Sequence, residues 1–374
     1  MIIGIPKEIK DNENRVAVIP GSVTELSKKN TVYVEKGAGV GSGISDQEYI
    51  DAGAKILDSA KEVWENSDMI YKVKEPLEEE YKYFREGLIL YTYLHLASNE
   101  KLAKALVDNK VIGIGYETVQ LENKLPLLRP MSEIAGRMAV QEGARYLTSP
   151  EGGEGILLQG VPGVRPANVV VVGAGTVGTA ATRIAVGMGA RVTVLDVNID
   201  ALTEITNIFP DKVETLYSNP LNIQEATKNA DLVISTVLIP GRKAPQLIKE
   251  DNVKEMKEGS VVVDVAIDQG GSTDLTKNRP TSHSNPVFTE YGVVHYAVAN
   301  IPGAVARTST YALSNATTRY AKAIAENGLR AACEGFPEII SGINTYEGKV
   351  AYKPVAEDLG ICLLYTSPSP RDRG

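Results

Sequence analysis

Short apolar runs alternate with amphipathic stretches along most of this chain. In the first third, strands are expected over residues 2–5, 31–34, 69–73, 88–94 and 111–116. Helical spacing of three and four falls between them, at 22–28, 60–65, 77–85 and 100–107. Residues 36–41 (KGAGVG) read as a turn. A longer helix is expected from Ser132 to about residue 147, with Ser132 as its N-cap just after Pro130. Gly- and Pro-rich residues 149–166 read as a loop. The alternation then resumes, with strands at 169–172, 192–195, 213–217, 232–235, 261–265 and 293–298, and a long helix at 309–333.

Strands alternating with helices argue for parallel α/β architecture, occurring here twice. The chain length also asks for two domains. The expected fold is α/β with two doubly wound domains. A central Rossmann domain at 129–302 is inserted in a discontinuous second domain made of 1–128 and 303–360. Two crossing segments would make a hinge, and the cleft between domains is the natural place for a site. After Gly360 the pattern lapses into ICLLYTSPSPRDRG, so residues 361–374 are read as a disordered or non-native tail.

The most specific stretch is VVVVGAGTVGTAATRIAVGMGARVTVLD, residues 169–196. A strand runs into Gly173-Ala174-Gly175-Thr176-Val177-Gly178, then a helix, a second strand and an acid, Asp196. Gly173 permits the tight turn, Gly175 lets backbone approach a pyrophosphate, and Gly178 lets the helix pack close to the sheet. Free N–H groups at the helix start favour the anion. Asp196 can accept from ribose hydroxyls, and no Arg or Lys follows at once, which points to NAD rather than NADP. A lone G-x-G-x-x-G is a weak signal, but here its full strand–helix–strand–acid context is present.

Composition narrows the classes. Hydrophobic residues are 43% and charged residues 23%, ordinary for a globular enzyme. A net charge of -8, without a Lys/Arg block, argues against a nucleic-acid surface. Cys333 and Cys362 show neither metal-ligand spacing nor a disulfide framework, so no metal is expected and a reducing cytoplasm fits. The N-terminus enters a strand directly rather than a leader, and no apolar run approaches a membrane span.

Candidate chemistry lies where strands end. Arg15 follows the first strand, and its guanidinium could fork a carboxylate. A solvated loop charge is the alternative. Lys74 closes the 69–73 run, on the same face as Lys72, and could equally be a surface lysine. His95 closes the 88–94 run, and imidazole as a residue type suits proton transfer near neutrality, although strand-end histidines are often structural. His283, in a loop, and His295, within a strand, suit proton transfer less. Asp268 stands at a strand exit before two glycines, whereas Asp264, inside the apolar run, reads as structural.

Several long motifs, in order, resemble the alanine dehydrogenase family along the chain apart from the tail. They are GIPKEIKDNENRVAVIP (4–20), KVKEP (72–76), TYLHLA (92–97), RPMSEIAGRMA (129–139), the 169–196 stretch, VDVAIDQGG (263–271) and YAVANIPGAVARTSTYALSNAT (296–317). The NAD-binding subunit of proton-translocating transhydrogenase is a relative of that family. The resemblance implies NAD-dependent, reversible oxidative deamination of L-alanine to pyruvate and ammonium, by hydride transfer and imine hydrolysis. It implies Arg15 and Lys74 as substrate anchors, His95 as acid/base and Asp268 as its partner. Cofactor contacts would come from Ser132, Gly173, Ala174, Gly175, Thr176, Val177, Gly178, Asp196, Ser218, Val237, Leu238, Ile267, Asp268, Val298 and Asn300. A cytoplasmic homohexamer is also implied, with no nucleic-acid or membrane partner. One departure is Ala201, where the family can carry a Lys that adds an adenosine contact.

Two other readings compete. A transhydrogenase-type subunit would pass hydride to a partner protein and needs no substrate anchors, so joint retention of Arg15, Lys74 and His95 speaks against it. A non-catalytic NAD(H) sensor would not need the complete set of site residues.

Overall fold

The computed structural model describes residues 1–122, 124–237 and 244–360. In chain order its strands are β1 (Ile2–Ile5), β2 (Thr31–Glu35), β3 (Lys55–Leu57), β4 (Met69–Tyr71), β5 (Ile89–Thr92), β6 (Ile112–Gly115), β7 (Asn168–Val172) and β8 (Arg191–Asp196). Then come β9 (Val213–Tyr217), β10 (Leu232–Ser235), β11 (Val261–Asp264), β12 (Val287–Glu290), β13 (Val293–Tyr296), β14 (Ile343–Tyr346) and β15 (Lys349–Val350). They form two sheets, ordered β15-β14-β6-β5-β4-β1-β2-β3 and β12-β13-β11-β10-β7-β8-β9. Each sheet belongs to one compact unit: among the described residues, Met1–Pro130 with 305–360, and Met131–Ala304.

Strands β1 to β6 pair in parallel, as do β7 to β11 and β13, leaving β12, β14 and β15 antiparallel at sheet edges. The six mutually parallel strands of each sheet follow the doubly wound order, with helices supplying the crossovers. β10 and β11 are buried at every position, which is why they read as unbroken apolar runs rather than alternating ones. One core gathers Val63, Trp64, Leu90, Leu102 and Leu106 beside the first sheet, and another gathers Val170, Val172, Val233, Val253 and Val262 around the second.

Several expectations need correction. Residues 77–85 form a 3-10 helix, Glu78–Tyr83, rather than an α-helix. Glu80 turns inward there, accepting from the Leu77 N–H at 2.9 Å and from the Lys72 ammonium at 2.8 Å. Ser132 is not an N-cap. The helix starts at Arg129 and runs to Tyr146, with Pro130 in its first turn, where a missing N–H is harmless. The 69–73 and 88–94 runs leave the ladder early, at Tyr71 and Thr92. The Val73 and Leu94 N–H groups donate instead to the carboxylates of Glu8 and Glu117. Short β3, β12, β14 and β15, and the helix Asp46–Asp51, were not expected at all. The long C-terminal helix spans Ala306–Gly335 with a break at Gly328 (φ 79°). The expected tail, 361–374, lies outside the described residues.

Candidate active site

Each sheet has one place where strand order reverses. In the first sheet it falls between β1 and β4, in the second between β7 and β10. Loops leaving the carboxyl ends of those two strands diverge to opposite faces and open a crevice. The candidate residues of each unit gather at those ends.

In the first unit Arg15, Lys74 and His95 follow β1, β4 and β5, three neighbouring strands. The loop carrying Arg15 is tied to the helix Ala306–Gly335. The Val16 N–H donates to Thr310 Oγ1 and the Ile19 N–H to Ser314 Oγ, both at 3.1 Å. Arg15 is 2% exposed, which excludes the solvated loop charge. Its guanidinium donates to both carboxylate oxygens of Glu13, at 2.7 and 2.5 Å. Burial opposes its charge, but Glu13, with Tyr93 and Glu8 nearby, outweighs that and holds the guanidinium above its ordinary pKa.

The two lysines divide. Lys72 is buried between Glu8 (3.2 Å) and Glu80 (2.8 Å), so its charge is consumed internally. Burial would lower its pKa, but the two carboxylates raise it above the ordinary lysine value. Lys74 is 7% exposed and enters no ion pair within hydrogen-bonding reach among the described residues. Its neighbour Glu75 binds Lys10 at 2.5 Å through one oxygen, and the other is buried without a partner. Burial pushes the Glu75 carboxyl up, yet Lys74, His95 and Lys10 together hold it below the usual carboxylate range.

His95 is half-buried, three residues beyond β5, in the left-handed region at φ 49°. Few non-glycine residues occupy that region, and those that do concentrate at functional positions. Its ring stacks on Tyr93, centroids 5.9 Å apart at 15°. Three glutamates that no sequence signal singled out hold these residues by the backbone. The Arg15 N–H donates to Glu13 at 3.1 Å, the Lys74 N–H to Glu8 at 3.3 Å and the His95 N–H to Glu117 at 2.7 Å.

In the second unit the glycine turn leaves β7. Gly173 has φ 112°, open to few other residues, and a Cβ there would lie 2.6 Å from Thr236 Oγ1. A Cβ on Gly178 would lie 1.8 Å from the Gly173 carbonyl oxygen. The turn's own packing therefore demands both outer glycines. Gly175 differs: a Cβ there would meet nothing within 4 Å. Open space beside the N-terminus of the helix Thr176–Gly187 is what an anion approaching the backbone requires. Thr176 and Val177 begin that helix. The Asp196 carboxylate accepts from the Ala174 N–H at 2.6 Å and the Asn198 N–H at 2.8 Å, so it ties the end of β8 to the turn.

Several other candidates follow the carboxyl ends of strands in the same sheet. Ser218 follows β9, its N–H donating to the Asp196 carbonyl at 2.9 Å. Val237 follows β10, half-buried. Ile267 and Asp268 sit in a short 3-10 helix, Ile267–Gln269, after β11. Asn300, left-handed at φ 64°, follows β13 and donates its N–H to the exposed Asp268 carboxylate at 3.3 Å. Val298 is wholly buried, side chain and backbone alike. Ser132 lies within the helix Arg129–Tyr146, and Leu238 lies outside the described residues.

The competing acid and histidines have other work. Asp264 is buried, accepting from the Ser272 N–H and hydroxyl, both at 2.7 Å, and from Thr276 Oγ1. His283 approaches the Asn300 carbonyl at 3.3 Å through Nε2. His295 is sealed in β13 against Phe288, centroids 4.9 Å apart, with neither ring nitrogen bonded. Burial, with Arg279 nearby, lowers its pKa to about 4. Among the described residues no group of His, Cys, Asp or Glu is placed to hold a metal, and no helix is long and apolar enough to cross a membrane.

Comparison with known proteins bears on both units. Residues 4–135 match the N-terminal domain of the alanine dehydrogenase/PNT family and residues 139–353 its C-terminal domain. A protein of Methanococcus maripaludis named alanine dehydrogenase is 59% identical over 359 residues, 96% of each chain. A solved L-alanine dehydrogenase structure is similar at a TM-score of 0.91 and 46% identity, covering 96% of this chain and 99% of that one. A transhydrogenase from Sinorhizobium meliloti is similar at 0.79 and 26% identity, covering 94% and 99%. Two successive domain matches and near-complete coverage leave one assignment: the chain belongs to the alanine dehydrogenase/PNT family.

Proposed function

We propose that this chain is an NAD-dependent alanine dehydrogenase, converting L-alanine reversibly to pyruvate and ammonium. The observation that carries the reading is the placement of Arg15, Lys74 and His95 past three adjacent strand ends, each with its amide held by a glutamate. A subunit that only hands hydride to a partner protein has no use for such an arrangement. The higher identity to the alanine dehydrogenases than to the transhydrogenase points the same way.

In this reading the Arg15 guanidinium and the Lys74 ammonium hold the substrate carboxylate and keto oxygen, fixing which face of Cα is presented. NAD, when bound, supplies the acceptor for the hydride that leaves Cα. His95 takes a proton from the water that adds to the resulting imine carbon, then returns one to the departing amine. Asp268 is the second proton-transfer group. The cofactor would lie on Ser132, the 173–178 turn, Asp196, Ser218, Val237, Leu238, Ile267, Asp268, Val298 and Asn300. Open space at Gly175 fits a pyrophosphate, and the half-buried Asp196 carboxylate, held beside the turn, fits a ribose. The functional domains are taken as 1–128 with 303–360, and 129–302. A cytoplasmic homohexamer follows from family resemblance.

The direct test is NADH formation with L-alanine, compared with other small amino acids and with no substrate. Turnover with alanine is expected. NADH binding without turnover on any amino acid would favour a sensor or a transhydrogenase-type subunit.

A further inference from the structure

We infer that Glu117 is a positioning residue for His95, acting through the backbone. The inference rests on His95 being the acid/base of the proposed reaction. Glu117 sits in a 3-10 turn, Tyr116–Thr118, directly after β6. That turn is fixed from both sides. The Tyr116 hydroxyl reaches the Lys72 carbonyl at 2.7 Å and the Tyr91 carbonyl at 3.0 Å, beside the loops that carry Lys74 and His95. Thr118 Oγ1 donates to the Gly115 carbonyl at 3.1 Å and accepts from Asn344 Nδ2 at 2.7 Å.

From this base the Glu117 carboxylate extends to the next strand end. One oxygen accepts from the His95 N–H at 2.7 Å, and both lie within reach of the Leu94 N–H, at 3.1 and 3.3 Å. Two consecutive amides thus converge on one carboxylate at the entrance to the left-handed turn at His95. The ring is then fixed by stacking on Tyr93, whose hydroxyl is itself bound to the Leu127 carbonyl at 2.7 Å. Backbone and ring are thus set by separate groups. Among the described residues no hydrogen bond or ion pair joins Glu117 to the imidazole nitrogens, so its route to the chemistry runs through the main chain.

Reach and charge can be separated by two substitutions. Glu117→Gln keeps the length and an acceptor oxygen but removes the charge. Glu117→Asp keeps the charge but is one methylene short, on a turn that cannot advance to compensate. Positioning predicts that Glu117→Gln retains most of the kcat for alanine. It predicts that Glu117→Asp loses about 10²-fold, the scale of an ångström-sized misplacement. The KM for alanine and the NADH Kd should change little in either. Hydrogen exchange of the Leu94 and His95 amides should quicken in Glu117→Asp only.

A cycle with His95→Gln completes the test: Glu117→Asp should add no further loss once His95 is gone. Loss in Glu117→Gln equal to or greater than in Glu117→Asp would mean that the charge itself acts on the reaction, and would overturn the inference. So would wild-type kcat in Glu117→Asp, or additive losses in the double variant. The underlying reading fails separately, by a His95→Gln single variant that keeps its turnover.

Discussion

Gly175→Ala should separate cofactor binding from folding. Gly175 has φ -71° and ψ -167°, extended backbone that alanine can adopt, and its Cβ would meet nothing within 4 Å. Two small terms act on stability. Alanine is a poorer N-cap than glycine, by about 0.5–1 kcal/mol. Alanine also reduces the freedom of the unfolded chain, a gain of about 0.4–1 kcal/mol. They nearly cancel, so Tm should stay within about 2–4 °C of wild type. If a pyrophosphate lies against this backbone, the methyl group must displace it. An overpacking cost of about 1–3 kcal/mol corresponds to roughly a 5- to 160-fold weaker NADH Kd. Differential scanning fluorimetry and NADH fluorescence titration read the two quantities independently. Gly178→Ala is the control with opposite logic. Its Cβ would lie 1.8 Å from the Gly173 carbonyl oxygen, so folding itself should suffer. A Gly175→Ala protein that binds NADH at wild-type strength would show that the turn does not receive the pyrophosphate.

Three further outcomes are expected. Asp196→Ala should raise the NAD KM and narrow the preference over NADP, since a 2′-phosphate would no longer face a carboxylate; unchanged discrimination in paired NAD and NADP kinetics would assign selectivity elsewhere. Arg15→Lys is a better test than Arg15→Ala, which would strand the buried Glu13 carboxylate. Loss of the fork should cost about 1.5–3 kcal/mol in alanine kcat/KM, roughly 10- to 160-fold, while the NADH Kd stays constant. His295, with its pKa lowered to about 4, stays neutral when folded but takes a proton when unfolded below the ordinary value of 6.5. Stability is therefore full above pH ~6.5 and falls by up to about 3 kcal/mol as pH drops toward 4, and urea melts of His295→Phe should show a shallower fall.

The fold was legible where periodicity had room to express itself. β1, β9 and β10 span the residues their apolar runs predict; β1 and β10 are buried at nearly every position, while β9, at the sheet edge, is only partly covered. Strands of two or three residues, such as β15 and β3, are shorter than any period can show. Residues 77–85 carry helical composition, but Glu80 serves Lys72 instead of the surface, and tertiary demand outweighed local propensity.

The site was half legible for a related reason. Sequence patterns report residues whose chemistry shows in their type and in their place on a strand, and Arg15, Lys74, His95 and Asp196 are of that kind. Glu8, Glu13 and Glu117 look like surface acids in a chain with 47 Asp and Glu residues. Only their burial or their bonds to main-chain amides distinguish them, and both depend on contacts spanning as many as 66 positions. The same fact reversed the reading of Arg15. Its polar surroundings in sequence suggest solvent, yet Glu13 supplies a counter-charge two residues away that lets the guanidinium be buried. A buried pair of this kind contributes little net stability, since desolvation offsets most of its attraction. Its effect is to fix direction: a guanidinium anchored on one carboxylate has a set position from which to meet another. The left-handed backbone at His95 follows the same logic, because the Glu117 carboxylate takes up its amide and helps to hold it there. Such supports carry no motif of their own, since what they must match is a backbone N–H, and every non-proline residue has one.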